Sequence, residues 1–224
     1  MRHHRFAVDY RSFRLSKLNA PEFRHLKLLL YWPVFGCLFL FVERLSPITR
    51  YFPIYCTLDD LIPFCEFFLL PYLFWFIYLV GMHIYTLLYD IAAFQRMMKF
   101  IIISYSVTML IYFIFPTCQE LRPSEFVRDN LFTRFLFYFY QFDTNTNVCP
   151  SIHVIGTAAV WCTSRTIQRF QTPAWRFAFG TAAFLICIST VFLKQHSIVD
   201  ILAAIPICLI AYHFSFGRNE YARR

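Results

Sequence analysis

The sequence predicts an all-α integral membrane protein, a bundle of six transmembrane helices with both termini in the cytoplasm. Three observations carry that expectation. Of the 224 residues, 58% are hydrophobic and 21% aromatic while only 15% are charged, a balance outside that of soluble domains. The apolar residues fall in separate long blocks, as a bundle of spanning segments requires. The basic residues lie between the blocks and are shared unevenly between the two sides. The chain therefore divides into a basic arm at 1–27, one six-helix membrane domain at 28–216 and a tail at 217–224. The formal net charge of +8 is spread over the loops, so it marks membrane orientation and no nucleic-acid partner is expected.

The first segment, 28–43, follows a long arm and lacks a small-x-small cleavage site, so it is a span and not a signal peptide. Cys37 sits in mid-run before "LFLFV", which argues against lipoprotein processing. Further segments are expected at 67–89, 100–116, 151–166, 176–193 and 198–216. Several are shorter than twenty residues, and Lys27, Lys99, Arg165 and Arg176 are placed to reach the interface from their ends. The loop at 117–150 holds "LFTRFLFYFYQF" (131–142), too short to span and placed flat at the interface. It is either a platform for an incoming lipid head group or an anchoring aromatic belt.

Orientation follows from Lys and Arg. The arm, the second-to-third loop (Arg96, Lys99), the fourth-to-fifth loop (Arg165, Arg169, Arg176) and the tail (Arg218, Arg223, Arg224) hold fifteen of the 21. That side is the cytoplasm, and the loops at 44–66, 117–150 and 194–197 face outward. Cys37, Cys162, Cys187 and Cys208 lie in apolar segments, where a thiol acts as a small hydrophobe. Cys56, Cys65, Cys118 and Cys149 lie on the outer side, where either free thiols or disulfides are open. A Cys118–Cys149 bridge would staple the ends of the longest loop.

Three chemistry-bearing clusters sit at outer ends of segments: "CQELRP" (118–123), "CPSIH" (149–153) and "STVFLKQHSIVD" (189–200). Alternating topology brings all three to one face. His196 and Asp200 are four apart, so on a helix the carboxylate can fix one imidazole nitrogen and leave the other basic and free. An acid near the head of an apolar segment is costly unless paired or wet, which makes Asp200 a functional candidate more than a capping residue. Arg122, Arg128, Arg134 and Lys194 supply positive charge, and the backbone N–H groups near Ser151 and Ile152 form an anion cradle. Together these point to a phosphate.

At these residues the sequence resembles the type-2 phosphatidic acid phosphatase superfamily of membrane lipid phosphatases and phosphotransferases. "PSIH" is similar to the second motif of that family, and Ser189 with His196 and Asp200 to the third; the resemblance covers about residues 67 to 216. It implies that His196 attacks phosphorus, Asp200 orients it, and His153 protonates the leaving oxygen and then activates the acceptor. It also implies that Arg122 holds phosphate oxygens with help from Ser151 and Ser189, and that no cofactor is needed. Three positions depart from the pattern: Phe115 stands where a Lys is usual, Ile152 where a Gly is, and Thr190 where an Arg is. Lys194 is placed to replace one missing cation. The segments "FDTNTNVCPSIHV" and "KQHSIVD" look closer to the inositol-phosphorylceramide and sphingomyelin synthase branch, which makes Asp143 and Asn147 head-group or loop-ordering candidates.

The expected function is therefore a lipid-phosphate phosphatase of the cell membrane with an extracytoplasmic site, its partners being a lipid phosphate and membrane lipids. The alternatives are a phosphotransferase using a lipid or polyol hydroxyl and a non-catalytic scaffold or transporter. An Fe or Zn facial triad is disfavoured because clustered Arg and Lys repel a cation, so no metal is expected.

Overall fold

A computed structural model describes residues 6–45 and 50–217. Arg2, Arg5, Arg218, Arg223 and Arg224 of the orientation argument, and all of the expected tail except Gly217, lie outside the described residues. Within them the regular structure is helical apart from two two-residue strands. A helical run over Arg24–Leu45 contains α1 (Tyr31–Leu40). There follow α2 (Leu69–Tyr89), α3 (Ile91–Ile114), α4 (Leu131–Phe142), α5 (Ile152–Ser164), α6 (Pro173–Phe192) and α7 (Ile198–Ser215). The strands β1 (Phe52–Pro53) and β2 (Thr117–Cys118) pair in parallel.

Five helical runs are long and apolar enough to cross a membrane: Arg24–Leu45, Glu66–Tyr89, Ile91–Ile114, Pro173–Phe192 and Ile198–Ser215. The chain is thus a helical membrane protein. The segment expected at 151–166 is the 13-residue α5, about 20 Å long at ~1.5 Å per residue against a hydrocarbon core of about 30 Å. It packs against α2, α3, α6 and α7, and much of its surface is buried.

The third span needs correction at its start. It begins at Ile91, so Arg96 and Lys99 are helical residues of α3 and not part of a loop. Asp90 alone joins α2 to α3, because its side chain accepts the Ala93 N–H at 2.9 Å and caps the new helix. Thr172 caps α6 with Pro173 in its first turn, and Ser197 caps α7. A cap at each turn lets short connections reverse the chain.

Adjacent ends share a side. The Phe52 N–H donates to Pro116 O at 2.9 Å, tying the loop after α1 to the end of α3. At the other end the Ala7 N–H donates to Leu88 O and the Tyr10 hydroxyl to Leu87 O, both at 2.8 Å. The α5 helix lies deepest at Gly156, where a Cβ would come within 2.6 Å of Tyr105 Oη and 3.0 Å of Trp75. Only glycine lets these helices approach so closely.

All eight cysteines are free thiols, the first of the two alternatives left open for the outer four, and Cys118 and Cys149 are not bridged. Backbone bonding holds the ends of that loop instead. Asn147 N–H donates to Thr117 O at 2.6 Å, Gln119 N–H to Asn145 O at 3.0 Å, and Cys149 N–H to Thr117 Oγ1 at 3.0 Å.

Candidate active site

The three sequence clusters do converge. The Ser151 N–H donates to Asp200 O at 3.1 Å, Tyr112 to Pro150 O at 2.7 Å, and the Arg122 guanidinium to Gln195 Oε1. The α6–α7 connection explains how His196 is presented. Lys194 adopts a left-handed conformation, φ 54°, and Thr190 O then accepts both the Gln195 and His196 N–H groups, at 2.9 and 3.1 Å. This turn ends α6 in the manner of a Schellman motif and leaves His196 just before the head of α7.

His196 Nδ1 lies 2.9 Å from Asp200 Oδ2, with both residues buried. An ionised carboxylate only accepts, so the proton of this bond sits on Nδ1 and Nε2 keeps its lone pair. The same Asp200 oxygen accepts the Ser197 N–H at 3.0 Å, so one carboxylate both caps α7 and fixes the imidazole. The His153 ring stands 5.6 Å from the His196 ring, centroid to centroid, at 66°. Tyr72 and Trp75 hold it from α2, each 4.5 Å away by centroid. His153 Nδ1, Asn147 Oδ1 and Arg122 Nε are buried without a hydrogen-bond partner. Such atoms are rare in folded proteins and mark places where polar ligands or waters belong.

Both histidines line a cavity of about 40 Å³ together with Asp143, Asn147, Gln195, Tyr72, Tyr112 and Glu43, a few waters' worth of space. Asp143 accepts the Tyr72 hydroxyl at 2.5 Å and the Gln195 amide at 3.2 Å. Burial raises its carboxyl above the usual range, against the Tyr72 bond and the nearby His196 and Arg122. Asn147, at φ 51°, donates to Glu43 Oε2 at 3.1 Å.

The expected phosphate ligands are not among the residues lining the cavity. Arg122 donates to Tyr140 O at 2.9 Å and Asp143 O at 2.6 Å and lies 4.3 Å over the Tyr140 ring. Lys194 Nζ donates to Asp59 O at 2.7 Å. The Ser189 hydroxyl donates to Ile186 O at 2.6 Å, and Ser151 Oγ caps α5 at the Val154 N–H, 3.5 Å away. Cys149 lies beside Asp200, and burial first, then that carboxylate, pushes its thiol up to about 12.

Sequence reasoning missed Tyr72, Trp75, Gln195, Glu43 and Asp59. Glu43 had a signal, being the one acid at the end of the first apolar block. Asp59 had none nearby. Its carboxylate accepts the Ser197 hydroxyl at 2.6 Å and the Ile198 N–H at 2.8 Å from far along the chain. Burial opposes its charge, but the bonds from Ser197, Ile198 and Cys56 outweigh that and hold the carboxyl below its usual range.

Among the described residues no group of three or more His, Cys, Asp or Glu side chains is arranged to hold a metal ion. No family model, no curated protein and no solved structure matches the chain.

Proposed function

We propose that this chain is a membrane enzyme that breaks a phosphate ester or diphosphate of a lipid through a phosphohistidine on His196. The observation that carries the reading is the buried His196–Asp200 pair with a second imidazole, His153, 5.6 Å away. The resemblance of "PSIH" and "KQHSIVD" to the type-2 phosphatidic acid phosphatase motifs supports it. In this reading α5 is a sixth crossing, both termini are cytoplasmic, and the histidines face the extracytoplasmic side of the cell membrane.

In the first step His196 Nε2 forms a bond to phosphorus as the P–O bond to the lipid breaks, and His153 gives its proton to the leaving oxygen. Asp200 holds the Nδ1 proton and stabilises the charge that develops on the ring. In the second step His153 takes a proton from the acceptor hydroxyl, whose oxygen attacks phosphorus and releases His196. Arg122 stands behind Gln195, next to His196, and would serve by exchanging the carbonyls of Tyr140 and Asp143 for phosphate oxygens.

A second reading, transfer to a lipid or polyol hydroxyl, is favoured by one observation. Both histidines are 6% exposed, and a site closed to bulk water suits an acceptor other than water. The test is to supply a lipid labelled in its phosphate to the purified protein in EDTA, with His196→Ala as control. Free labelled phosphate identifies a hydrolase and label in a new lipid a transferase. Loss of turnover in EDTA, or full activity of the variant, contradicts the mechanism.

A further inference from the structure

At the end of the bundle that carries the N-terminal arm, an open groove of about 530 Å³ runs between α2 and α6, and neither His153 nor His196 lines it. Its walls are apolar and aromatic. Gly81, Ala178 and Ala182 line it with almost no side chain, and a Cβ at Gly81 would meet nothing within 4 Å. Arg169, Tyr85, Tyr89 and Trp175 also line it, and Arg, Tyr and Trp are the types that settle at the head-group level. Fifteen positions of α2 separate Phe74 from Tyr89, about 22 Å at ~1.5 Å each, enough to cover one leaflet of a core about 30 Å thick.

We propose that this groove binds one anionic glycerophospholipid of the surrounding bilayer, its acyl chain between α2 and α6 and its net-negative head group on Arg169. The groove faces the membrane, so an acyl chain is the molecule available to fill it. Charge complementarity selects the head group. Arg165 and Arg169 lie on the connection from α5 to α6 and Arg176 in the first turn of α6, and none is in an ion pair with a carboxylate among the described residues. Arg165 stacks on Trp161 at 5.5 Å, and Arg176 donates to Gln171 Oε1 at 2.9 Å, so the partners of both are uncharged. Asp90 is the acid near the mouth, and its side chain is engaged in capping α3. In the orientation proposed above this is the cytoplasmic leaflet, where anionic lipids concentrate. The site is separate from the histidines and needs no catalysis, so it can fail while the proposed activity stands, or the reverse.

The test is native mass spectrometry of the full purified chain from micelles containing equal amounts of phosphatidylserine and phosphatidylcholine with matched chains. Phosphatidylserine should be retained in preference by about tenfold, the scale of one charge-assisted contact. Arg169→Gln should bring that preference close to unity, and Arg169→Lys should restore much of it. Gly81→Leu, which adds a side chain where a Cβ meets nothing within 4 Å, should reduce retention of both lipids. Equal retention by the unaltered protein, a preference that survives Arg169→Gln, or retention unchanged in Gly81→Leu would overturn the proposal. Arg169 is exposed, so its variants test the site even if the Gly81 variant folds poorly.

Discussion

The proposed chemistry rests on a few side chains held by specific bonds. Asp200 has two donors on one oxygen, His196 Nδ1 and the Ser197 N–H. Asp200→Asn should therefore lower turnover by about 10²- to 10⁴-fold, since an amide does not enforce the same tautomer; single-turnover kinetics will read the loss. Asp143 tests the electrostatics. Its carboxyl is raised by burial, so the folded protein holds that proton in a window where the unfolded chain has released it. The unaltered protein should accordingly lose stability relative to Asp143→Asn as pH rises from the usual carboxylate value through the raised one, as thermal unfolding across that range will show. The histidines and Asp200 were legible in the sequence because local spacing ties them to helix starts. Arg122, Lys194 and Ser189 were not, because their partners are backbone carbonyls, of which Tyr140, Asp143 and Asp59 are distant in sequence.

At the level of elements, the site is built by pinning helix ends. Asp59 reaches from the loop before α2 to the Ser197 hydroxyl and the Ile198 N–H at the head of α7. Asp59→Ala should cost about 1–3 kcal/mol, the range for buried bonds to a charged group. Because the Asp59 carboxyl is held below its usual range, its contribution is present above the unfolded-state value and fades as pH falls through the folded one. Denaturant titration of both proteins at neutral and acid pH checks both the size and the sign. Gly156 pins α5 from its middle, and Gly156→Val should destabilise by about 1–3 kcal/mol through overpacking, displacing Trp75 and with it His153. Most helices were legible from apolar runs. The start of α3 was not, because Arg96 and Lys99 resemble loop residues until the Asp90 cap is seen. The interfacial segment at 131–142 was placed as too short to span, and it forms the 12-residue α4.

Across the whole molecule, the proposed topology puts the loops before α2, α4 and α7 outside. Leu61 is 76% exposed on the first of them. In a cysteine-tagged variant, Leu61→Cys, an impermeant maleimide should label intact cells from outside, whereas labelling only after permeabilisation reverses the orientation. Cys149 should react slowly in the same experiment at pH 8, its thiol being pushed up to about 12. The helical membrane character was legible in composition. The arrangement that sets a short helix among four of the five long ones was not, because it depends on contacts made by α5 with α2, α3, α6 and α7. The most direct test of the central claim is an alkaline rapid quench of the protein with a lipid phosphate labelled at phosphorus, followed by peptide mapping. The account predicts an acid-labile label on the peptide carrying His196, absent in His196→Ala; label on a different peptide, or turnover with no labelled protein at any time, would contradict it.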